Sequence, residues 1–132
     1  MMTKVIENFK QDRFAELCGI EILDVRPGHA RCSMPVTERH LNGLGTVMGG
    51  AVFTLADFTY SLAANSRGGV AVSLNAFISH LRKCTRGVIT AEATELSTSS
   101  KTGLYRVSVT DDQNQIIAEF TGTAYLKVPR PN

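Results

Sequence analysis

The sequence lacks three features that would each indicate a particular class of protein. Its three cysteines, Cys18, Cys32 and Cys84, are odd in number and show no CxxC spacing, which argues against a disulfide framework and against a zinc knuckle. It has no dense run of lysine and arginine, and its net charge of +2 is too small to argue for nucleic acid. No apolar run approaches the roughly 18 residues that a membrane-spanning helix needs. We therefore expect no nucleic-acid partner and no membrane span.

The first segment, MMTKVIENFKQDRFAEL, is charged and helical in pattern rather than apolar like the core of a secretion signal. Together with the unpaired cysteines, this favours a reducing compartment, so we expect a soluble cytoplasmic protein. Hydrophobic residues make up 43% of the chain and charged residues 20%, which is ordinary for a folded domain. A chain of 132 residues is expected to form one domain, residues 1–132, with a substantial core.

Apolar periodicity predicts the order of the elements. Apolar residues recur at roughly helical spacing over residues 3–17, which predicts one short amphipathic helix, with Thr3 as its cap. A longer helix is predicted over residues 49–65, after a loop at residues 37–48. Six further segments alternate apolar with polar residues between turn-rich stretches, which predicts strands. These strands are residues 20–25, 30–36, 70–81, 87–96, 103–110 and 115–128.

Six strands with one long internal helix predict an α+β fold, in which an antiparallel sheet covers one face with that helix. The helix, GGAVFTLADFTYSLAANS, carries apolar residues around most of its circumference and shows no wide polar face. A helix of this kind is buried on more than one side. If the sheet covers one side, the candidate to cover the other is a second copy of the chain.

Four glycines, Gly43, Gly45, Gly49 and Gly50, surround the start of this helix. They form neither a dinucleotide-binding nor a Walker motif, because Met48 stands where G-x-G-x-x-G needs its third glycine and no Gly-Lys-Ser/Thr follows. At a helix start, glycines allow another group to approach unpaired N–H groups, where the dipole favours an anion or a developing oxyanion. The alternative is that Gly49 and Gly50 only begin a helix where backbones pack tightly.

Asp57 lies within the apolar run of the same helix. An ionised carboxylate is costly to bury without a partner, so Asp57 either has a functional task or is a structural residue that faces solvent or is hydrogen bonded. Eight positions separate Gly49 from Asp57, which places them about 12 Å apart along the helix axis. One helix cannot direct both groups at a single carbonyl, whereas two antiparallel copies in a symmetric dimer can.

The segments NGLGTVMGGAVFTLAD, ANSRGG and HLRK resemble the hotdog-fold acyl-CoA thioesterases, particularly the phenylacetic-acid-degradation (PaaI-type) group. The resemblance covers about residues 14–128. It implies a hotdog thioesterase domain over residues 1–132, with a curved antiparallel sheet of five to six strands wrapped around one long central helix. It also implies a homodimer or a dimer of dimers. The implied reaction is hydrolysis of an aryl-acetyl or short to medium acyl-CoA, with no metal and no cofactor besides the coenzyme A of the substrate.

The same resemblance implies roles for individual residues. Asp57 would be the nucleophile or general base, and the backbone N–H of Gly49 from the partner protomer would polarise the thioester carbonyl. Asn42 would help to place the thioester or the water. Basic side chains in or beside predicted loops are candidates to contact the phosphates of coenzyme A, the alternative being solvated surface. The candidate substrate-binding residues are Met48, Gly50, Arg67, Arg82 and Lys83.

Met48 departs from the family pattern, which usually has histidine before the glycine pair. One alternative is therefore a non-catalytic acyl-CoA-binding protein. A second is a hotdog enoyl-CoA hydratase, which would need an Asp/His pair, and no histidine adjoins Asp57 in this helix. No spacing pairs Cys84 with a histidine as a nucleophile, and His80 is expected to face a dimer seam or to be hydrogen bonded rather than to catalyse.

Overall fold

The computed structural model describes residues 2–131, and over that range the six strands form one curved antiparallel sheet in the order β1-β2-β4-β5-β6-β3. One long helix packs on the sheet, as the predicted α+β fold requires. In chain order the elements are α1 (Met2–Lys10), α2 (Arg13–Cys18), β1 (Glu21–Arg26), β2 (His29–Pro35), a 3-10 turn (Glu38–His40), α3 (Gly49–Asn65), β3 (Val70–His80), β4 (Val88–Thr98), β5 (Thr102–Thr110) and β6 (Ile116–Val128).

Helix α3 contacts all six strands and supplies the centre of the core. Tyr60, from the middle of the helix, is fully buried, and its ring lies 5.4 Å from Phe120 of β6 and 5.8 Å from Tyr105 of β5, measured between ring centroids. Tilted aromatic pairs at this distance are favourable and contribute large buried areas. They fix the rotation of α3 on the sheet, and so determine which of its faces remains open. Every helix within residues 2–131 is too short or too polar to span a bilayer.

Residues 3–17 form two helices rather than the one predicted. Asp12 adopts an extended backbone conformation between α1 and α2, and its Oδ1 accepts a hydrogen bond of 2.9 Å from the N–H of Ala15. Aspartate is a favoured helix N-cap, so this bond begins a new helix where the apolar spacing suggested continuation. Helix α2 then ends at Gly19, which has a φ of 79°. Thr3 lies inside α1 and does not cap it.

Strand β3 forms one edge of the sheet, paired with β6 on one side only. Residues 72–77 are exposed on both faces of the strand, and Val72, Leu74 and Phe77 are 45%, 58% and 71% exposed. A long, apolar edge strand left open in this way promotes association with another chain. The protomer therefore carries an uncovered surface beside α3.

Candidate active site

One face of α3 is only partly covered. Gly50 is exposed, and Thr54, Asp57 and Ser61 are half-buried. Their spacing of four, three and four residues places them on one side of the helix, and we call this set the open stripe. The open stripe is too narrow to count as a wide polar face, although the spacing of its small and polar residues is visible in the sequence.

Asp57 lies in the middle of the open stripe. Burial raises the pKa of its carboxyl above the ordinary aspartate value, and the negative charge of Asp12 raises it further. Among residues 2–131, no hydrogen bond or ion pair reaches the Asp57 carboxylate. A half-buried carboxylate whose oxygens are free of protein partners is suited to accept a proton or to attack a carbonyl carbon.

The start of α3 presents unpartnered backbone donors. Met48 is the N-cap and makes no side-chain capping bond, while its carbonyl oxygen accepts hydrogen bonds from the N–H groups of Ala51 and Val52 at 2.9 and 3.2 Å. Within the part of the chain that is described, the N–H groups of Gly49 and Gly50 have no acceptor. These two donors lie at the positive end of the helix dipole, which favours a negatively charged or polarised oxygen.

A cavity of about 420 Å³ opens beside the start of α3. Gly49 lines it together with Arg82 and Lys83, so the structure brings together one predicted catalytic residue and two of the predicted substrate-binding residues. Met48 is 58% exposed next to this cavity without lining it. The remaining wall residues are Val47, Val52, His80, Leu81, Cys84 and Ile117.

Asn42 shapes the loop that leads into α3. Its Oδ1 accepts hydrogen bonds from the N–H groups of Leu44 and Thr46 at 2.9 and 3.2 Å, and its Nδ2 donates to Oγ1 of Thr46 at 2.9 Å. Bonds of this kind fix a tight turn. One N–H of the carboxamide has no acceptor among residues 2–131, so the side chain can still donate one hydrogen bond to a ligand.

Arg67 lies just beyond the other end of α3, away from Gly49 in the same protomer. Its guanidinium pairs with Glu95 at 3.2 Å. Within one protomer, the structure therefore does not bring Arg67 together with Arg82 and Lys83, and its contact with substrate stays a prediction.

A family model described as the thioesterase superfamily matches residues 44–118, which include Gly49, Asp57, Arg82 and Lys83. The chain belongs to the thioesterase superfamily. One relative is acyl-coenzyme A thioesterase PaaI of Escherichia coli, which is 33% identical over 118 residues, or 89% of this chain and 84% of that protein. The structure of Escherichia coli PaaI superposes with a TM-score of 0.91, at 30% identity, over 98% of this chain and 97% of that one.

A second thioesterase-superfamily structure, a variant of the phenylacetic acid degradation protein PaaI from Thermus thermophilus, superposes with a TM-score of 0.83. It is 36% identical and covers 86% of this chain and 98% of that one. The predicted hotdog fold, the PaaI-type resemblance and the enzyme class, a thioester hydrolase, are confirmed. The roles of Asp57, Gly49 and Asn42 stay predictions.

Proposed function

We propose that this thioesterase hydrolyses acyl-CoA to free acid and coenzyme A in a site that two protomers share. The observation that carries the proposal is the carboxyl group of Asp57, half-buried in the open stripe, with a raised pKa and no partner within residues 2–131. The name of the Escherichia coli relative, acyl-coenzyme A thioesterase, supports the substrate class. An aryl-acetyl or a short to medium acyl group is the proposed acid portion.

The surface around Asp57 supports a homodimer with antiparallel α3 helices. The open stripe belongs to the helix that contacts the uncovered edge strand β3, whose apolar side chains need a covering partner. Gly50, Thr54 and Ser61 are small, so two α3 helices can approach closely along the stripe. A two-fold axis between the helices brings the start of one toward the middle of the other. Gly49 of one protomer then faces Asp57 of its partner. Within a single helix the two residues are about 12 Å apart and cannot meet at one carbonyl.

The reaction needs a base, a nucleophile and a donor to the carbonyl oxygen. As general base, Asp57 takes a proton from water while the water oxygen attacks the thioester carbon, and the Gly49 N–H donates to the carbonyl oxygen as it becomes negative. The tetrahedral intermediate then breaks the C–S bond, and the proton on Asp57 passes to the leaving sulfur. As nucleophile, an Asp57 carboxylate oxygen instead attacks the thioester carbon, and the C–S bond breaks as the coenzyme A thiolate leaves. Water then hydrolyses the resulting anhydride to the free acid and the Asp57 carboxylate, and one proton of that water passes to the thiolate. Asn42 positions the thioester or the water with its free N–H.

Arg82 and Lys83 are proposed to bind the phosphates of coenzyme A. Both side chains border the cavity beside Gly49, where the thioester carbonyl is proposed to lie. Guanidinium and ammonium groups bind phosphate by charge-assisted hydrogen bonds. Substitution of both by glutamine should therefore raise KM for acyl-CoA while leaving kcat close to that of the unaltered enzyme.

The proposed function is tested by incubating the purified protein with a panel of acyl-CoA thioesters and separating acid and coenzyme A by chromatography. Asp57→Asn should lower kcat on the order of a hundredfold or more, because asparagine neither attacks nor accepts the proton. Glu7→Gln, on the exposed surface of α1, is the matched control and should keep the full rate. A normal rate in Asp57→Asn would refute the assigned role.

A non-catalytic acyl-CoA-binding protein is the second candidate, and Met48 is the observation that favours it. The N-cap of α3 offers no side-chain hydrogen bond, so the start of the helix has fewer groups for orienting a carbonyl. This candidate predicts that acyl-CoA raises Tm without being consumed.

The same chromatographic assay, run with an enoyl-CoA, tests the hydratase alternative through the appearance of a hydroxyacyl-CoA.

A further inference from the structure

The imidazole of His80 packs directly against Gly49. A Cβ added at Gly49 would lie 3.1 Å from Nε2 and 3.3 Å from Cε1 of His80. Gly49 is helical and is not among the glycines with positive φ, so its backbone conformation does not require glycine. The His80 ring leaves little room for a side chain there, because a Cβ would make the ring shift by a few tenths of an ångström. His80 thus lies at the same helix start as the unpartnered Gly49 N–H.

His80 differs from the other two histidines in having free ring nitrogens. His40 is buried, with Nε2 bonded to the carbonyl oxygen of Cys18 at 2.7 Å and Nδ1 accepting from the N–H of Thr37 at 2.9 Å. His29 bonds Glu92 at 2.7 Å and also contacts Arg26. Within residues 2–131, no hydrogen bond or ion pair engages the ring of His80, which is exposed and lines the cavity.

Four features therefore meet at one end of the cavity: a backbone N–H, an imidazole, Arg82 and Lys83. Arg82 and Lys83 are long and flexible and suit phosphate. The imidazole is planar and short, projects from the end of β3 and touches the helix start, so it can place one N–H beside that of Gly49. Met48, at the preceding position, has no donor to offer. The position and chemistry of His80 match the carbonyl oxygen of the thioester rather than the phosphates.

We propose that His80 is a catalytic residue that donates its ring N–H to the thioester carbonyl oxygen beside the Gly49 N–H of the same protomer. This inference rests on the proposed function and adds a second donor to it. The proton stays on the imidazole throughout, and the bond strengthens as the oxygen gains charge in the tetrahedral intermediate. The partner's carboxylate acts from the opposite side of the carbonyl carbon.

The test compares His80→Ala with His80→Gln in the full-length protein. Loss of the donor in His80→Ala should lower kcat on the order of a hundredfold with little change in KM. His80→Gln keeps an N–H close to the position of Nε2 and should recover most of kcat. A thioether analogue of acyl-CoA lacks the carbonyl oxygen and should bind His80→Ala as tightly as the unaltered enzyme. His29→Ala is the matched control and should keep the full rate.

Three results would overturn the inference. The first is an unchanged kcat in His80→Ala. The second is a change in KM and in the affinity for the thioether analogue, with kcat unaffected. The third is a kcat in His80→Gln as low as that of His80→Ala. If Asp57→Asn abolishes hydrolysis and His80→Ala does not, the role of His80 fails while the proposed function stands. If the unaltered protein hydrolyses no acyl-CoA, both fail.

A stability measurement checks the packing on which the inference depends, independently of activity. Gly49→Ala brings a Cβ against the His80 ring, so its effect on Tm should be smaller in a His80→Ala background. An equal effect in both backgrounds would show that the ring does not lie on Gly49, and the inference would fall. Each single variant is first shown to fold by circular dichroism.

Discussion

Asp12, the N-cap of α2, lies near enough to Asp57 of α3 for its negative charge to add to the effect of burial in raising the pKa of the Asp57 carboxyl. Asp12 has two roles that can be separated. Its Oδ1 accepts the N–H of Ala15, which begins α2, and its charge acts on the proposed catalytic carboxylate. The break between α1 and α2 thus places a negative charge close to the candidate catalytic carboxylate.

Asp12→Asn should shift the acid limb of the kcat/KM profile to lower pH. Asparagine caps a helix as aspartate does but carries no charge, so the pKa of Asp57 falls toward its ordinary value while α2 remains intact. The proposed base works only when ionised, so a lower pKa extends activity into more acidic solution. Rates measured across the acid range check this, and an unchanged profile would show that the Asp12 charge does not reach Asp57.

Asp57→Asn should raise the stability of the protein at neutral pH. The pKa of Asp57 is higher in the folded than in the unfolded chain, so the folded state binds the proton more tightly. The free energy of unfolding therefore falls as pH rises from the ordinary aspartate value through the raised one, and the ionised group destabilises at pH 7. Thermal unfolding at pH 7 and pH 4 should show a gain in Tm that shrinks in acid. If Asp57→Asn gives no gain in Tm at pH 7, or a larger gain at pH 4, the pKa of Asp57 is not raised in the folded protein.

Gly122→Ala should destabilise the fold by about 1–3 kcal/mol. A Cβ at Gly122 would lie 2.8 Å from Cζ of Tyr60 and 3.0 Å from Cε1 of Phe120, and both rings are buried in the core and cannot retreat. Gly43→Ala is the matched control, because nothing lies within 4 Å of a Cβ there and its φ is not positive. Denaturant unfolding should show a loss for Gly122→Ala and no loss for Gly43→Ala. Equal results for the two would mean that the Tyr60 ring is placed differently.

Glu95→Ala should lower the free energy of unfolding by about 1–3 kcal/mol. The Glu95 carboxylate accepts a hydrogen bond of 3.0 Å from the buried Tyr105 hydroxyl and pairs with Arg67 at 3.2 Å and with Arg130 at 3.9 Å. Burial and the Glu95 charge raise the pKa of Tyr105 to about 12. Glu95→Gln retains an acceptor and should lose less. If alanine and glutamine are both neutral in denaturant unfolding, the cluster does not stabilise the fold.

The extent of α3 could be predicted from sequence because local signals agreed. A glycine pair, an apolar run and the turn-rich segment after Asn65 all set the same bounds, and the structure has the helix at Gly49–Asn65. The break at Asp12 differs from the prediction because the apolar residues of 3–17 recur only roughly at helical spacing. Phe9 and Phe14 are five positions apart and do not share a helix face, and the capping bond from Ala15 to Asp12 begins a new helix between them.

The contact between His80 and Gly49 could not be predicted from spacing. It depends on the register of β3 on β6, in which His80 pairs with Ala118, and on the rotation of α3 that the Tyr60 aromatic contacts fix. Both are tertiary properties. Within residues 2–131 the His80 ring makes no hydrogen bond and is exposed at the cavity, while its predicted position at a dimer seam stays a prediction.

The central claim is that Asp57 of one protomer and Gly49 of its partner form one site, and a mixed dimer tests it most directly. Gly49→Pro removes the N–H at the first helical position, which tolerates proline, and Met48 already has the extended conformation, φ −62° and ψ 138°, that precedes proline. The proline ring also crowds His80 of its own chain, but that His80 belongs to the site that has lost the N–H, so the other site of a mixed dimer is unaffected. Asp57→Asn and Gly49→Pro chains should each be inactive alone.

Co-expressed in equal amounts, the two chains form mixed dimers in which one of the two sites carries neither change. Random pairing should therefore restore about a quarter of the activity of the unaltered enzyme. A mixture as inactive as each variant alone would show that both groups must come from the same chain, and would contradict the shared site.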